Sequence, residues 1–450
     1  MLTTATFRHT IANACGLMPH QRVLVTVSGG ADSMALLHLL VAVQQPVVVA
    51  HCNFHLRDDE SDGDQAFVTL YCQTHELPFH VRHFNTRDFA AQKGISIEMA
   101  ARVLRYEWFD QLASETGCSH IATAHHANDN VETFLLNLTR GTGIRGLSGM
   151  AMCTGKLIRP LLHFSRIDIE TYCRENHLTW RHDSSNDCCD HTRNHIRHRI
   201  VPEFCHINPS FLATMHNTMA RMQELEAMLG QQVEAFRNES VADEEGIQII
   251  PLSRLSNHPQ KGLILFELLR HKNFNATHVA DIIASLKGLP GKQFLSPTHR
   301  VIRDRHNLVV TPRHEASETE TFTIAGDITQ TENPLRLHLR TFERPADFRF
   351  STDANCIHLD ADRVDFPLTL RHWRMGDAFM PLGMSNFKKL SDFFTDEKMS
   401  LLEKENAWLL LSSDNIVWVV GRRVDNRYRI TNTTKWILEI SLGEKNPQGF

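Results

Sequence analysis

Val23-Leu-Val-Thr-Val-Ser28-Gly29-Gly30-Ala31-Asp32-Ser33 is the stretch on which the fold turns. A β-branched run ends in a Ser-Gly-Gly turn, and an apolar helical pattern follows to about Val43. A strand that passes straight into a helix leaves the first helical N–H groups without partners, pointing at the same place as the positive end of the helix dipole. Such a turn is a ready anion site. The glycines let the backbone fold tightly and approach a phosphate, and the hydroxyls of Ser28 and Ser33 can add donors. Ser28, Gly29, Gly30, Ala31, Asp32 and Ser33 therefore form the candidate phosphate loop. No Lys follows the turn, so this is not the Gly-x-x-x-x-Gly-Lys-Ser/Thr loop of kinases and GTPases. Asp32 would repel a phosphate unless a metal intervened, which makes it a candidate Mg²⁺ ligand. The bland alternative is a turn that carries glycines for geometry alone.

Working outward, short β-branched runs at 47–51, 79–84 and 121–124 alternate with helical patterns at 60–76, 96–116 and 128–139, Ser96 being a candidate cap. This alternation predicts an α/β domain, a doubly wound parallel sheet whose ligand lies beyond the carboxyl ends of the strands. After residue 144 the pattern becomes a Gly-punctuated loop and then a basic helix. Residues 213–236 read as one amphipathic helix, with Met215, Met219, Met222, Leu225 and Leu229 on a packing stripe. Residues 261–312 suggest a small α+β unit, 315–320 a polar linker, and the last ~110 residues a further compact α+β domain. The expected division is 1–212, 213–320 (helical and α+β) and 335–450.

A chain of 450 residues with 42% hydrophobic and 22% charged residues has the composition of a globular protein. No apolar run approaches the ~18 residues of a membrane span, and 1–17 lacks the apolar core of a signal peptide, so a cytoplasmic protein with no membrane partner is expected. The ten cysteines include no Cys-x-x-Cys pair and read as scattered reduced thiols. The net charge of −5 does not favour nucleic acid, but 140–199 holds ten Lys/Arg against six Asp/Glu, and 422–435 holds five against one. Such local patches can track a phosphate backbone.

Further candidates lie at the expected strand ends. His51, opening His-Cys-Asn-Phe-His-Leu-Arg57, can contact ribose or phosphate or be an ordinary polar loop residue. Arg102 and Arg105 share a helical face and can stabilise charge on a phosphate, or pair with Glu98 and other surface acids. Asp129 and Glu132 are three residues apart on one helix face, placed to hold an amine or a metal; alternatively Asp129 compensates a helix N-terminus. His125 and His126 point opposite ways in a strand and read as members of a polar network. Arg140-Gly-Thr-Gly143-Ile-Arg145 is a candidate lid, and Arg193 and Arg197 form a basic stripe suited to phosphates or simply to solvent. Cys188, Cys189, His191 and His195 fit no tetrahedral spacing, so no zinc site is expected there.

Ser-Gly-Gly-x-Asp-Ser resembles the PP-loop of the ATP pyrophosphatase superfamily, which implies cleavage of ATP between the α- and β-phosphates. Together with 51–57, 101–106, 125–133, Arg140-Gly-Thr-Gly143, 183–199, 288–303, 370–383 and 388–393, the chain resembles one family along nearly its whole length: the bacterial tRNA(Ile)-lysidine synthetases. The resemblance implies ATP and Mg²⁺ as cofactors, and free L-lysine and the CAU-anticodon isoleucine tRNA as partners; a homodimer is compatible with it. The reaction implied is adenylation of the wobble cytidine at C2 and displacement of AMP by lysine. It implies Ser28–Ser33 and His51 at the nucleotide, Asp32, Arg102 and Arg105 in catalysis, and Asp129 and Glu132 on lysine. For tRNA it implies Arg140, Arg145, Arg193, Arg197, Arg199, Lys388 and Lys389. Asn128 stands where many relatives have Asp, and the segment after Lys398 lacks a Pro and an Arg common among them. Another PP-loop tRNA-modifying enzyme, for thiolation or amidation, and a non-catalytic tRNA-binding protein are the alternatives.

Overall fold

The computed structural model describes residues 1–56, 59–181, 192–244, 246–313, 320–351, 353 and 355–443. These form two compact units, Met1–Gln231 and Gln232–Phe450.

The first unit is built on strands β1 (Val23–Thr26), β2 (Val47–Asn53), β3 (Phe79–His83), β4 (His120–Ala122), β5 (Cys153–Thr154) and β6 (Leu157–Ile158). Their order across the sheet is β3-β2-β1-β4-β6-β5. All neighbours run parallel except β5, which pairs antiparallel with β6. Helices α1 (Thr4–Asn13), α2 (Ala31–Ala42), α3 (Asp59–Thr74), α4 (Thr86–Lys93), α5 (Ile97–Glu115), α6 (Ala127–Arg140), α7 (Ile144–Leu147) and α8 (Arg166–Glu175) surround it.

The period-two alternation of β1 explains the double cover. Val23, Val25 and Val27 point into one core with Leu36 and Leu40 of α2 and Ile169 of α8. Leu24 points the other way, with Val48, Ala50 and Ile121, onto Trp108, Phe109 and Leu112 of α5. Both faces are thus apolar, as a buried parallel sheet requires. Ser96 caps α5 by accepting from the Met99 N–H at 3.2 Å, as its position suggests. The strand order reverses between β1 and β4, and in open parallel sheets a ligand crevice opens at that reversal.

After Thr192 the chain runs through α9 (Thr192–His195), a π-helical turn (Ile196–Ile200), α10 (Val201–Ile207) and α11 (Phe211–Ser240). Ile196, Val201, Phe211 and Met219 pack on Val131 and Leu135 of α6. The expected stripe on the long helix is packed only in part: Met219 is buried, but Leu225 is 46% exposed.

In the second unit, Lys261–Leu269 and Ala276–Ser285 are helices beside a five-stranded antiparallel sheet that includes His299–Arg303 and Asn307–Pro312. Two further antiparallel sheets share a core of Leu337, Leu359, Leu370, Leu410, Trp418 and Ile440. The expected linker at 315–320 falls almost wholly outside the described residues. No helix among the described residues is long and apolar enough to cross a membrane.

Candidate active site

The phosphate loop leaves β1 at its carboxyl end. Gly29 has φ of 96°, a left-handed conformation that glycine adopts without strain. Gly30 is the N-cap of α2, with no side chain to satisfy the first N–H groups. Ser33 holds the turn together. Its Oγ accepts from the N–H groups of Ser28 and Gly29, both at 3.2 Å, and donates to the Gly30 carbonyl at 2.9 Å. The loop is clamped from outside by Arg181, whose N–H donates to the Gly29 carbonyl at 3.0 Å and whose Nε donates to Asp64 at 2.6 Å.

Asp32 lies in the first turn of α2. Its Oδ1 is buried with no hydrogen-bond partner among the described residues. Burial pushes its carboxyl up, against the pull of His126 and Arg166. A partnerless buried carboxylate oxygen beside an anion cradle is a donor set that fits a hard divalent cation.

At the end of β4, His126 connects the two halves of the crevice. Its Nε2 is 3.7 Å from Asp32 Oδ2 and 3.4 Å from Asp129 Oδ2. Asp129 Oδ2 also accepts the His126 N–H at 3.1 Å, so the carboxylate caps α6 as well as facing the crevice. One turn on, Glu132 is buried. Burial pushes Asp129 up, but His126 and Arg193 outweigh it and hold the carboxyl below its ordinary range. Burial pushes His125 down to about 4, so it is neutral at pH 7; its Nδ1 lies 2.9 Å from Thr123 Oγ1.

The basic stripe faces inward. Arg193 Nε donates to Glu132 Oε2 at 2.8 Å and its Nη2 to Asp129 Oδ1 at 3.1 Å. Arg197 Nε donates to Glu132 Oε1 at 2.6 Å, and its Nη2 reaches Asp129 Oδ1 at 3.3 Å. The phosphate-facing or solvated stripe expected from spacing is thus a set of four charges closed within the crevice. The physical reason is Ile196, which is buried on α6 and turns both flanking arginines toward its carboxylates.

Of the remaining expected residues, His51 is buried and its Nδ1–H donates to the Val27 carbonyl at 2.8 Å, pinning β2 to the loop. Burial pushes this imidazole down, which keeps it neutral. The Arg105 guanidinium lies 5.2 Å from the Phe54 ring centroid and that of Arg102 5.0 Å from Tyr106. Among the described residues neither is paired with a carboxylate, so the alternative, pairing with Glu98, is not formed. Arg140 and Arg199 are exposed, and Arg145 pairs with Glu226 at 3.2 Å. In the second unit Lys389 is exposed and Lys388 pairs with Asp396. Arg57 and 182–191, with Cys188, Cys189 and His191, lie outside the described residues.

Sequence reasoning missed three groups. Arg159, just beyond β6, is buried, with Nη1 on the Ala151 carbonyl at 2.6 Å and Nε unpartnered. The signal was available, a charged residue at the end of a strand. Arg181 with Asp64 acts across a long sequence distance and carried none, and Asn128, noted only as a departure from relatives, accepts the Arg166 N–H on its Oδ1 at 3.0 Å.

A parallel sheet that reverses at β1/β4, with a lysine-free phosphate loop on one side of the reversal and an acid-bearing helix on the other, defines the PP-loop class of nucleotide-using enzymes. The PP-loop domain model matches residues 3–204, that of the TilS substrate binding domain 243–313, and that of the TilS substrate C-terminal domain 368–440. The chain is 43% identical over 420 residues to the tRNA(Ile)-lysidine synthase of Parabacteroides distasonis, covering 93% of this chain and 95% of that one. It is 39% identical to that of Bacteroides thetaiotaomicron (94% and 95% covered) and 33% identical to that of Geobacter sulfurreducens (92% and 91%). The chain belongs to the tRNA(Ile)-lysidine synthase family.

Proposed function

We propose that this enzyme uses ATP to adenylate the C2 oxygen of the wobble cytidine in the CAU anticodon of an isoleucine tRNA, and then joins free L-lysine there, releasing AMP. The observation that carries the reading is the position of His126, within 4 Å of both Asp32 on the phosphate loop and Asp129 on α6. An anion cradle and a cation-holding carboxylate pair share one crevice, which suits a reaction that needs both a nucleotide and an amine.

The C2 oxygen is a poor leaving group and AMP a good one, so activation splits one hard substitution into two easier steps. The N–H groups of the first turn of α2, at 31–33, bind the phosphates that leave as pyrophosphate, on a loop that Ser33 holds in shape. Asp32 would hold Mg²⁺, which when bound neutralises phosphate charge. Arg102 and Arg105, without acidic partners among the described residues, are available to the α-phosphate as charge develops there. Asp129 and Glu132 hold the amine of lysine as a cation; the amine attacks C2 as the free base, after its proton passes to solvent, and AMP leaves with the electron pair of the C2–O bond. Arg193 and Arg197 already sit on these carboxylates, so lysine must displace or share with them; this is the same cation chemistry the pair would show toward substrate. Exposed Arg140, Arg199 and Lys389 are assigned to the tRNA backbone. A tRNA substrate and scattered cysteines without a Cys-x-x-Cys pair support a cytoplasmic location.

The test supplies ATP, Mg²⁺, radiolabelled lysine and a transcript of the CAU isoleucine tRNA. Label should enter that transcript and not methionine tRNA of the same anticodon. Pyrophosphate release without lysine incorporation would move the nucleophile elsewhere, and label in neither tRNA with no pyrophosphate would overturn the reading.

A further inference from the structure

Outside the crevice, one cluster on the second unit unites three metal-binding side-chain types. Strands Leu337–Glu343, Trp436–Leu442 and Cys356–Asp360 lie side by side, the middle one pairing antiparallel with both neighbours. Ile357, Leu359, Leu438 and Ile440 point into the core. Alternation therefore puts Cys356, His358 and Glu439 on the opposite face. His358 is directly opposite Glu439 in the register, and its Nε2 is 3.0 Å from Glu439 Oε2. The Cys356 sulfur completes a set whose ligand atoms all lie within 4.8 Å of one another.

We infer that Cys356, His358 and Glu439 form a binding site for a divalent transition metal, zinc in particular. With zinc bond lengths of roughly 2.0–2.3 Å, the ligand atoms of a tetrahedral site stand about 3.3–3.8 Å apart, so the widest separation needs to close by at most about 1–1.5 Å, while His358 and Glu439 exchange their 3.0 Å hydrogen bond for the metal. Two ligands two residues apart on one strand and a third opposite them on the next make a tripod, and a fourth position is left for water. A thiolate, an imidazole and a carboxylate together favour zinc over the hard cations magnesium and calcium. A thiolate and a carboxylate also neutralise its two charges.

The surroundings are already arranged to hold the ligands. Arg340, opposite Glu439 on the other flanking strand, reaches Glu439 Oε1 at 3.2 Å and Oε2 at 3.4 Å, and so holds the carboxylate beside His358. Phe348 and Phe350 stand edge-on to the His358 ring, with centroids 5.1 and 6.3 Å away, and restrict its rotation. Partners that orient ligands in this way commonly alter metal affinity by about 10–100-fold when removed. Arg340 also opposes a cation, and it is 67% exposed, so its repulsion is screened by solvent.

The experiment uses the full-length chain, stripped with chelator and titrated with Co²⁺ and then Zn²⁺. One equivalent of Co²⁺ should bind and give a near-ultraviolet thiolate charge-transfer band, which Zn²⁺ bleaches. Cys356→Ser should abolish the band. Glu439→Gln, which keeps the shape of the side chain, should weaken Co²⁺ at least about tenfold. Cys188→Ser with Cys189→Ser should leave the band intact. A wild-type chain with no band, or a band that survives Cys356→Ser and disappears with the Cys188/Cys189 pair, would overturn the site.

Discussion

At the scale of single residues, Asp129 and Glu132 are worth the most. Each carries a charge into a place where water is scarce and is compensated by guanidinium groups rather than solvent. Removing one partner of such a pair costs about 3–5 kcal/mol. Asp129→Asn should lower kcat/KM for lysine at least about 100-fold. Pyrophosphate release dependent on tRNA should persist, because the phosphate loop is untouched. Equal loss of both half-reactions would assign Asp129 to adenylation instead. His125 gives a pH signature. Its pKa in the fold is about 4, below the ordinary 6.5. Between those values the unfolded chain binds a proton that the native one does not, so stability falls as pH drops from 6.5 to about 4 and levels off below. The loss reaches about 3 kcal/mol if this site acts alone. Urea unfolding across that window should show it, and His125→Gln should flatten the slope; an unchanged slope would mean other buried histidines carry it.

At the scale of elements, the phosphate loop makes two glycines separable. Gly29 needs its left-handed φ, whereas an added Cβ there would meet Val68 only at an ordinary 3.6 Å. Gly29→Ala should therefore cost about 1–2 kcal/mol of stability through backbone strain alone. Gly30 has an ordinary φ of −76° and room for a Cβ, 3.6 Å from Ser28 Oγ. Gly30→Ala should leave thermal unfolding nearly unchanged yet raise the KM for ATP, because the added methyl stands where phosphate approaches the backbone. A shared loss of stability would show that Gly30, too, is there for the fold. The same elements show what a sequence can tell. The strand-turn-helix of 23–42, the Ser96 cap and the carboxylate pair on α6 are local, written in spacing and turn chemistry. The inward turn of Arg193 and Arg197 is not. Their i,i+4 spacing places them on one face, but the face is chosen by Ile196 packing against a helix some sixty residues earlier. The Asp64–Arg181 clamp and the Cys356–His358–Glu439 cluster are likewise created by pairing across more than eighty residues, which no local pattern encodes.

At the scale of the whole molecule, a chain of net charge −5 must bind a polyanion. Long-range attraction is therefore weak, and binding has to come from a few cations brought to the phosphates in place. Arg193 and Arg197 are paired with carboxylates and Lys388 with Asp396, so we propose exposed side chains such as Arg199 in the first unit and Lys389 in the second as direct contacts. Each phosphate neutralised releases counterions, and each contact contributes about 0.7–0.9 to the slope of log affinity against log salt. Arg199→Glu and Lys389→Glu should each weaken tRNA binding and reduce that slope by about one, with the KM for ATP unchanged. If the two units act on one tRNA, the effects on the slope should add in the double variant, since each side chain neutralises its own phosphate. A slope altered by Arg199→Glu alone would confine the backbone contacts to the catalytic unit and leave the second unit to read tRNA by shape.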